Sequence, residues 1–340
     1  MALATAVHDS QDLSGLLLKN MTNTTKTKLT AVFIALSLCV TWFFFSRAAA
    51  LGNRYNKISP SVFQVDSRLG YSYDEMPVVF KPRIGGIWMA GRLIDAVTHD
   101  GRVTEAAFWN VFGLYHAGAL LLTFVVLICL ADNPLFVIPL VFAGMCYSLT
   151  PPDDVTIFPW DLPSMLFWTL SFLLWQRKHY FWMLATLVLG TVFKETVAVT
   201  AFLFFFTTIS WRQRWTYFGA AFVACLLLRL WITHAVMGQA RVFTADAQAH
   251  PGFNALESLF TPHLNHFIWV NAGTFILALL LPMKALVDKG TKSVLALFFA
   301  GMTLACYLAN TDYEFRQFLD VLPVSVIYLS RTVEQWRGLK

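Results

Sequence analysis

The chain has 340 residues, 57% of them hydrophobic and only 13% charged, about half the charged share usual for a soluble domain. Such a surplus of apolar side chains needs lipid as its solvent and leaves little length for a soluble domain. The net charge of +5 comes from short basic clusters between apolar runs, which speaks for membrane orientation rather than for a nucleic-acid partner.

Residues 1–28 are polar and end with Lys19, Lys26 and Lys28 ahead of the first apolar run, 29–45. The basic flank places the amino terminus in the cytoplasm, and the long polar lead argues for a retained span rather than a cleaved signal. A hydrophilic stretch, 46–105, follows on the outer side. Within it, the segment around 77–99 carries Ile84, Ile87, Trp88, Gly91 and Leu93, a pattern that predicts an amphipathic helix lying along the membrane surface.

Nine more apolar runs follow, at about 106–131, 134–149, 158–175, 180–193, 197–210, 217–236, 267–283, 293–309 and 318–330. Counted from a cytoplasmic start, the inner connections are 132–133, 176–179, 211–216, 284–292 and 331–340, and all but the first hold two or three Lys or Arg. The short outer connections 150–157, 194–196, 237–266 and 310–317 hold none or one. A ten-span count agrees with this asymmetry. Runs 180–193 and 197–210 are short for full crossings and can instead form a deep re-entrant hairpin. The expected fold is all-α, polytopic, with a cytoplasmic segment 1–28, a membrane domain 29–330 and a cytoplasmic tail 331–340. Cys39, Cys129, Cys146, Cys225 and Cys306 all lie in apolar runs without CxxC spacing, so neither a disulfide framework nor a metal site is expected.

Ionisable groups at membrane depth are costly unless they pair or meet water. Under this topology the outer face collects Asp66, Asp74, Arg83, Asp153, Asp154, Asp161, Lys194, Glu195, Glu314 and Arg316. Each also has a plainer reading. Lys194 and Glu195 can neutralise each other at a turn. Asp161, in FPWDLP, suits a helix cap. Asp153 and Asp154 can bind a cation or stay solvated, and solvation is the expectation. Glu314 and Arg316 can form an interfacial ion pair, although an Arg fork also suits a phosphate. The convergence of these groups on one face, from spans distant in sequence, predicts a shared outward cavity.

The order of these features resembles the GT-C superfamily of polytopic glycosyltransferases. The matching segments are the long first outer loop with Asp66 and then KPRIGGIW at 81–88, KET at 194–196, and EFRQFLDVLP at 314–323. The resemblance implies sugar transfer from a polyprenyl-phosphate donor to a glycan, lipid or protein acceptor at the periplasmic or luminal face, with inversion. It implies Asp66, or failing that Asp74, as general base, and Arg316 with Lys194 and Arg83 on the lipid phosphate. Glu195, Glu314, Asp161 and Asp154 would orient these groups or accept sugar hydroxyls. No cofactor is implied, and a bacterial inner membrane is expected ahead of the endoplasmic reticulum. Ten residues after the last span give little room for a carboxy-terminal acceptor domain, which disfavours a sequon peptide. The competing readings are an O-antigen-type polymerase or ligase, a secondary transporter and a non-catalytic membrane scaffold.

Overall fold

The computed structural model describes residues 22–51, 84–97, 105–149, 158–237, 289–298, 319–336 and 338. Among these residues there is no strand. The labelled helices are α1 (Asn23–Leu51), α2 (Ile84–Asp95), α3 (Glu105–Leu130), α4 (Pro134–Leu149), α5 (Asp161–Gln176), α6 (Tyr180–Phe193), a 3-10 helix (Glu195–Phe206), α7 (Trp211–Met237) and α8 (Leu322–Trp336). Residues 289–298 are also helical.

Among the described residues, three helical segments are long and apolar enough to cross a membrane: Asn23–Ser46, Ala106–Leu130 and Trp211–Ile232. Large apolar side chains on them, among them Phe33, Phe44, Leu114, Phe222 and Trp231, point outward and stay exposed. Water would penalise that surface and lipid would not. Pro134–Leu149, Tyr180–Phe193 and Glu195–Phe206 are apolar but shorter.

α1 packs on α3 and α4, α3 on α5, α5 on α6 and the 3-10 helix, and α7 closes over both hairpin legs. The hairpin is antiparallel, since Tyr180 at its start meets Phe204 at its end with ring centroids 6.4 Å apart. Its α leg is about 21 Å long at 1.5 Å per residue. The second leg winds as a 3-10 helix of 12 residues, far longer than most. At about 2 Å per residue it extends about 24 Å, so the shorter sequence matches the longer one in depth. The legs close tightly, because a Cβ on Gly190 would stand 2.6 Å from Val197 Cγ1 and 2.9 Å from Phe167 Cβ. Gly190→Ala is therefore expected to cost about 1–3 kcal/mol by overpacking, read as a lower unfolding midpoint in detergent.

The expected surface helix forms as α2, but it is seated on the bundle. Gly85 approaches Val192 and Phe193, and Gly86 approaches the backbone of Pro159 and Trp160. Gly86, Ile87, Ala90 and Ile94 are buried on that side, while Trp88, Met89 and Leu93 remain exposed.

These contacts sort the described charges by end. Asp161, Lys194, Glu195, Arg229 and Asp320 share one end with α2. At the other, Arg331 donates to the Leu130 carbonyl (3.1 Å) and to Gln176 Oε1 (3.3 Å) and pairs with Asp132 (3.4 Å), tying α3, α5 and α8 together. Arg177, Lys178, Arg212 and Arg214 lie at that same end, beside the open mouth of the hairpin.

Candidate functional site

Lys194 interrupts the apolar run between the hairpin legs. Its backbone is extended (φ −155°, ψ 132°), a conformation that turns successive side chains to opposite sides. Lys194 therefore points into the bundle and Glu195 points away. The self-neutralising pair of the plainer reading does not form. Lys194 Nζ lies 3.1 Å from Asp320 Oδ2 and 3.9 Å from Asp161 Oδ1, and it also donates to Asp320 Oδ1 at 3.3 Å. Glu195 pairs instead with Arg229 of α7 at 3.4 Å, in a partly exposed contact.

Asp161, Lys194 and Asp320 are 1%, 3% and 0% exposed, so this is an interior ion cluster rather than a surface one. Such groups persist only when paired and hydrogen-bonded, and here they are. The Thr196 hydroxyl donates to Asp320 Oδ2 at 2.6 Å, and the Ser164 hydroxyl donates to Asp320 Oδ1. The N–H of Phe158 donates to Asp161 Oδ2 at 2.9 Å.

That last bond revises the helix-cap reading of Asp161. Asp161 is the first residue of α5, its N-cap is Trp160, and the cap position makes no side-chain hydrogen bond. The carboxylate turns back to the preceding turn and across to Lys194, because both lie on the buried side. The turn is held from α3 as well: the Tyr115 hydroxyl donates to the Pro159 carbonyl (2.8 Å), and His116 Nε2 lies 3.2 Å from the Phe158 carbonyl.

The cluster is an electrostatic joint of three segments, and Lys194 is committed to carboxylates in it. Of the residues singled out from sequence, Asp161, Lys194 and Glu195 share this end of the fold. Asp66, Asp74, Arg83, Asp153, Asp154, Glu314 and Arg316 lie outside the described residues. Asp320, Thr196 and Ser164 were not singled out. Asp320 carries a legible signal, since it stands between Leu319 and Val321 inside an apolar run, where a carboxylate needs a partner. Ser164 carries none: its importance comes only from the helix face it occupies. Among the described residues no group of three or more His, Cys, Asp and Glu side chains is assembled that could hold a metal ion.

Fold and site together define a chain that is helical throughout the described residues, with helices long and apolar enough to cross a membrane and a buried Asp–Lys–Asp cluster at one end. No family model, curated protein or solved structure matches the chain.

Proposed function

We propose that the chain is a ten-span glycosyltransferase of the GT-C kind, moving a sugar from a polyprenyl-phosphate donor to an acceptor hydroxyl at the outer face. One observation carries this reading. Segments 194–196 and 314–323, two of the three that bear the resemblance, meet through Lys194, Thr196 and Asp320 across 126 and 124 residues of chain. They meet at the end opposite Arg177, Lys178, Arg212 and Arg214, and the bias of basic residues among the short connections makes it the outer one.

In this reading Asp66, with Asp74 as the alternative, removes the proton of the attacking hydroxyl, and the negative charge growing on the departing lipid phosphate is met by Arg316. Arg83 assists. Arg316 precedes Asp320 by four residues, a contour of at most about 14 Å, and itself lies outside the described residues. Lys194 assists the phosphate site through Asp320, while Asp154, Asp161, Glu195 and Glu314 orient neighbouring groups.

Purified protein supplied with polyprenyl-phosphate sugars should transfer the sugar. Asp66→Asn should lower the rate by about 10²- to 10⁴-fold, the range for loss of a general base, and Arg316→Ala should lower it too. Full activity in both variants overturns the residue roles.

A second reading, secondary transport, is favoured by the helix break at Lys194 beside buried carboxylates, a motif of transporter sites. Labelled-solute uptake into proteoliposomes, without sugar transfer by the wild type, would select it.

A further inference from the structure

The other end of the bundle carries a feature that the transfer reading does not use. Three connections distant in sequence converge at the open mouth of the hairpin. Tyr180 meets Tyr217 with ring centroids 6.0 Å apart, Phe204 stacks on Tyr217 at 5.2 Å, and Gly290 packs on Phe206 and Trp175. Arg177, Lys178, Arg212 and Lys289 are all exposed around this corner. The segments 177–182 and 207–216 contain no Asp or Glu, and the connection 284–292 sets three lysines against the single Asp288.

Two of these cations stand where the helices alone would not put them. α5 ends with the Lys178 N–H donating to the Trp175 carbonyl (3.0 Å) and the His179 N–H donating to the Leu174 carbonyl (2.9 Å). In that C-terminal motif the residue after the cap is left-handed and usually Gly, yet here it is Lys178, with φ 60°. At α7 the first turn holds Arg212 and Arg214 and no acid, against the helix dipole, which favours anions there. The N-terminus is already capped, with Ser210 and Gln213 bonded reciprocally. Arg214 is accounted for by its bonds of 3.0 Å to the carbonyls of Ile209 and Phe205. Arg212 has no such bond to explain it.

The same corner exposes aromatic rings. Phe181, Trp182, Trp211 and Trp215 are all at least half exposed, and Trp211 and Trp215 pack edge to face at 5.6 Å. Indoles in that setting sit at the level of lipid headgroups. Cations at headgroup level that an apolar helix end holds against local preference have a natural counter-ion, the phosphodiester of an anionic lipid.

We propose that this corner is a binding site for anionic phospholipid headgroups, with Arg177, Lys178, Arg212 and Lys289 on the phosphate and the tryptophans flanking the glycerol region. The site is independent of the transfer chemistry at the opposite end.

The test is native mass spectrometry and thermal unfolding of the full chain in phosphatidylcholine with or without phosphatidylglycerol. The wild type should retain phosphatidylglycerol over phosphatidylcholine by roughly tenfold, as expected of several cations at a charged surface. It should also unfold at a higher temperature when phosphatidylglycerol is present. Both effects should fade in about 1 M salt, where screening acts within about 3 Å. Lys178→Gly should raise the midpoint in pure phosphatidylcholine, by relieving the left-handed residue, while lowering the phosphatidylglycerol preference. Joint Arg177→Gln and Arg212→Gln should abolish most of the preference, and Arg92→Gln at the opposite end should not alter it. Equal retention of both lipids by the wild type, a preference unchanged by salt, or the same stabilisation by inorganic phosphate would overturn the proposal, as would stabilisation by an acidic peptide or RNA alone. The salt series needs only the wild type, so a poorly folded variant does not shield the idea.

Discussion

Replacing Asp320 by alanine is expected to destabilise the protein by about 3–5 kcal/mol, the usual effect of removing one partner from a buried ion pair. The loss is large because Asp320 serves three donors at once: Lys194 Nζ at 3.1 Å, the Thr196 hydroxyl at 2.6 Å and the Ser164 hydroxyl. Lys194 then keeps only Asp161 at 3.9 Å, Ser164 keeps the Asp161 carbonyl, and the part-buried Thr196 loses its acceptor. Lys194→Met should be comparably severe, since it leaves the buried carboxylates of Asp161 and Asp320 without their shared cation. Combining Lys194→Met with Asp320→Leu should cost less than the sum of the two, by about 0.5–3 kcal/mol, as coupled neighbours do. Thermal unfolding in detergent, followed by tryptophan fluorescence, measures all three variants. Strict additivity would show that the pair is not energetically coupled and that the joint is held by packing alone.

Gly86→Ala is expected to lower the unfolding midpoint more than Gly85→Ala, although the two are adjacent in one helix. A methyl group at Gly86 meets the Pro159 carbonyl oxygen at 2.7 Å and the Trp160 nitrogen at 2.9 Å, which is backbone. That backbone cannot yield, because Tyr115, His116 and Asp161 all hold the turn. At Gly85 the obstacles are the side chains of Val192 and Phe193 at 3.0–3.2 Å, which can rotate aside. The wedge at Gly86 must lift α2 from the bundle or distort the turn that fixes Asp161, at about 1–3 kcal/mol. Cysteine labelling at position 90, buried against the bundle in the wild type, should quicken in Gly86→Ala. Unchanged labelling and midpoint would mean that α2 does not dock through this glycine.

Much of the helical layout was legible because hydropathy is a local property. Runs 134–149 and 180–193 correspond residue for residue to α4 and α6, and α2 lies within the segment that the amphipathic pattern marked. The second hairpin leg was less legible. Its apolar content predicts a helix but not a 3-10 winding, which answers the need to match a neighbouring leg in depth. At the candidate site, Lys194 and Asp161 announce themselves as charges interrupting apolar sequence, and Asp320 carries the same signal. Which of them would pair was not legible: adjacency in sequence favours Lys194 with Glu195, and the extended backbone at Lys194 sends the two side chains apart.

The sequence alone determines that this chain is rich in apolar helices suited to lipid and roughly where several of them lie. These follow from counts over short windows, where each residue contributes without reference to distant ones. Only the tertiary structure decides that Lys194 joins Asp320 and Asp161, that Glu195 joins Arg229, and that α2 docks on the turn before α5. The reason is physical. A buried charge takes as its partner whichever opposite charge the packing brings within about 4 Å, and that distance is set by helix ends meeting across more than a hundred residues of chain.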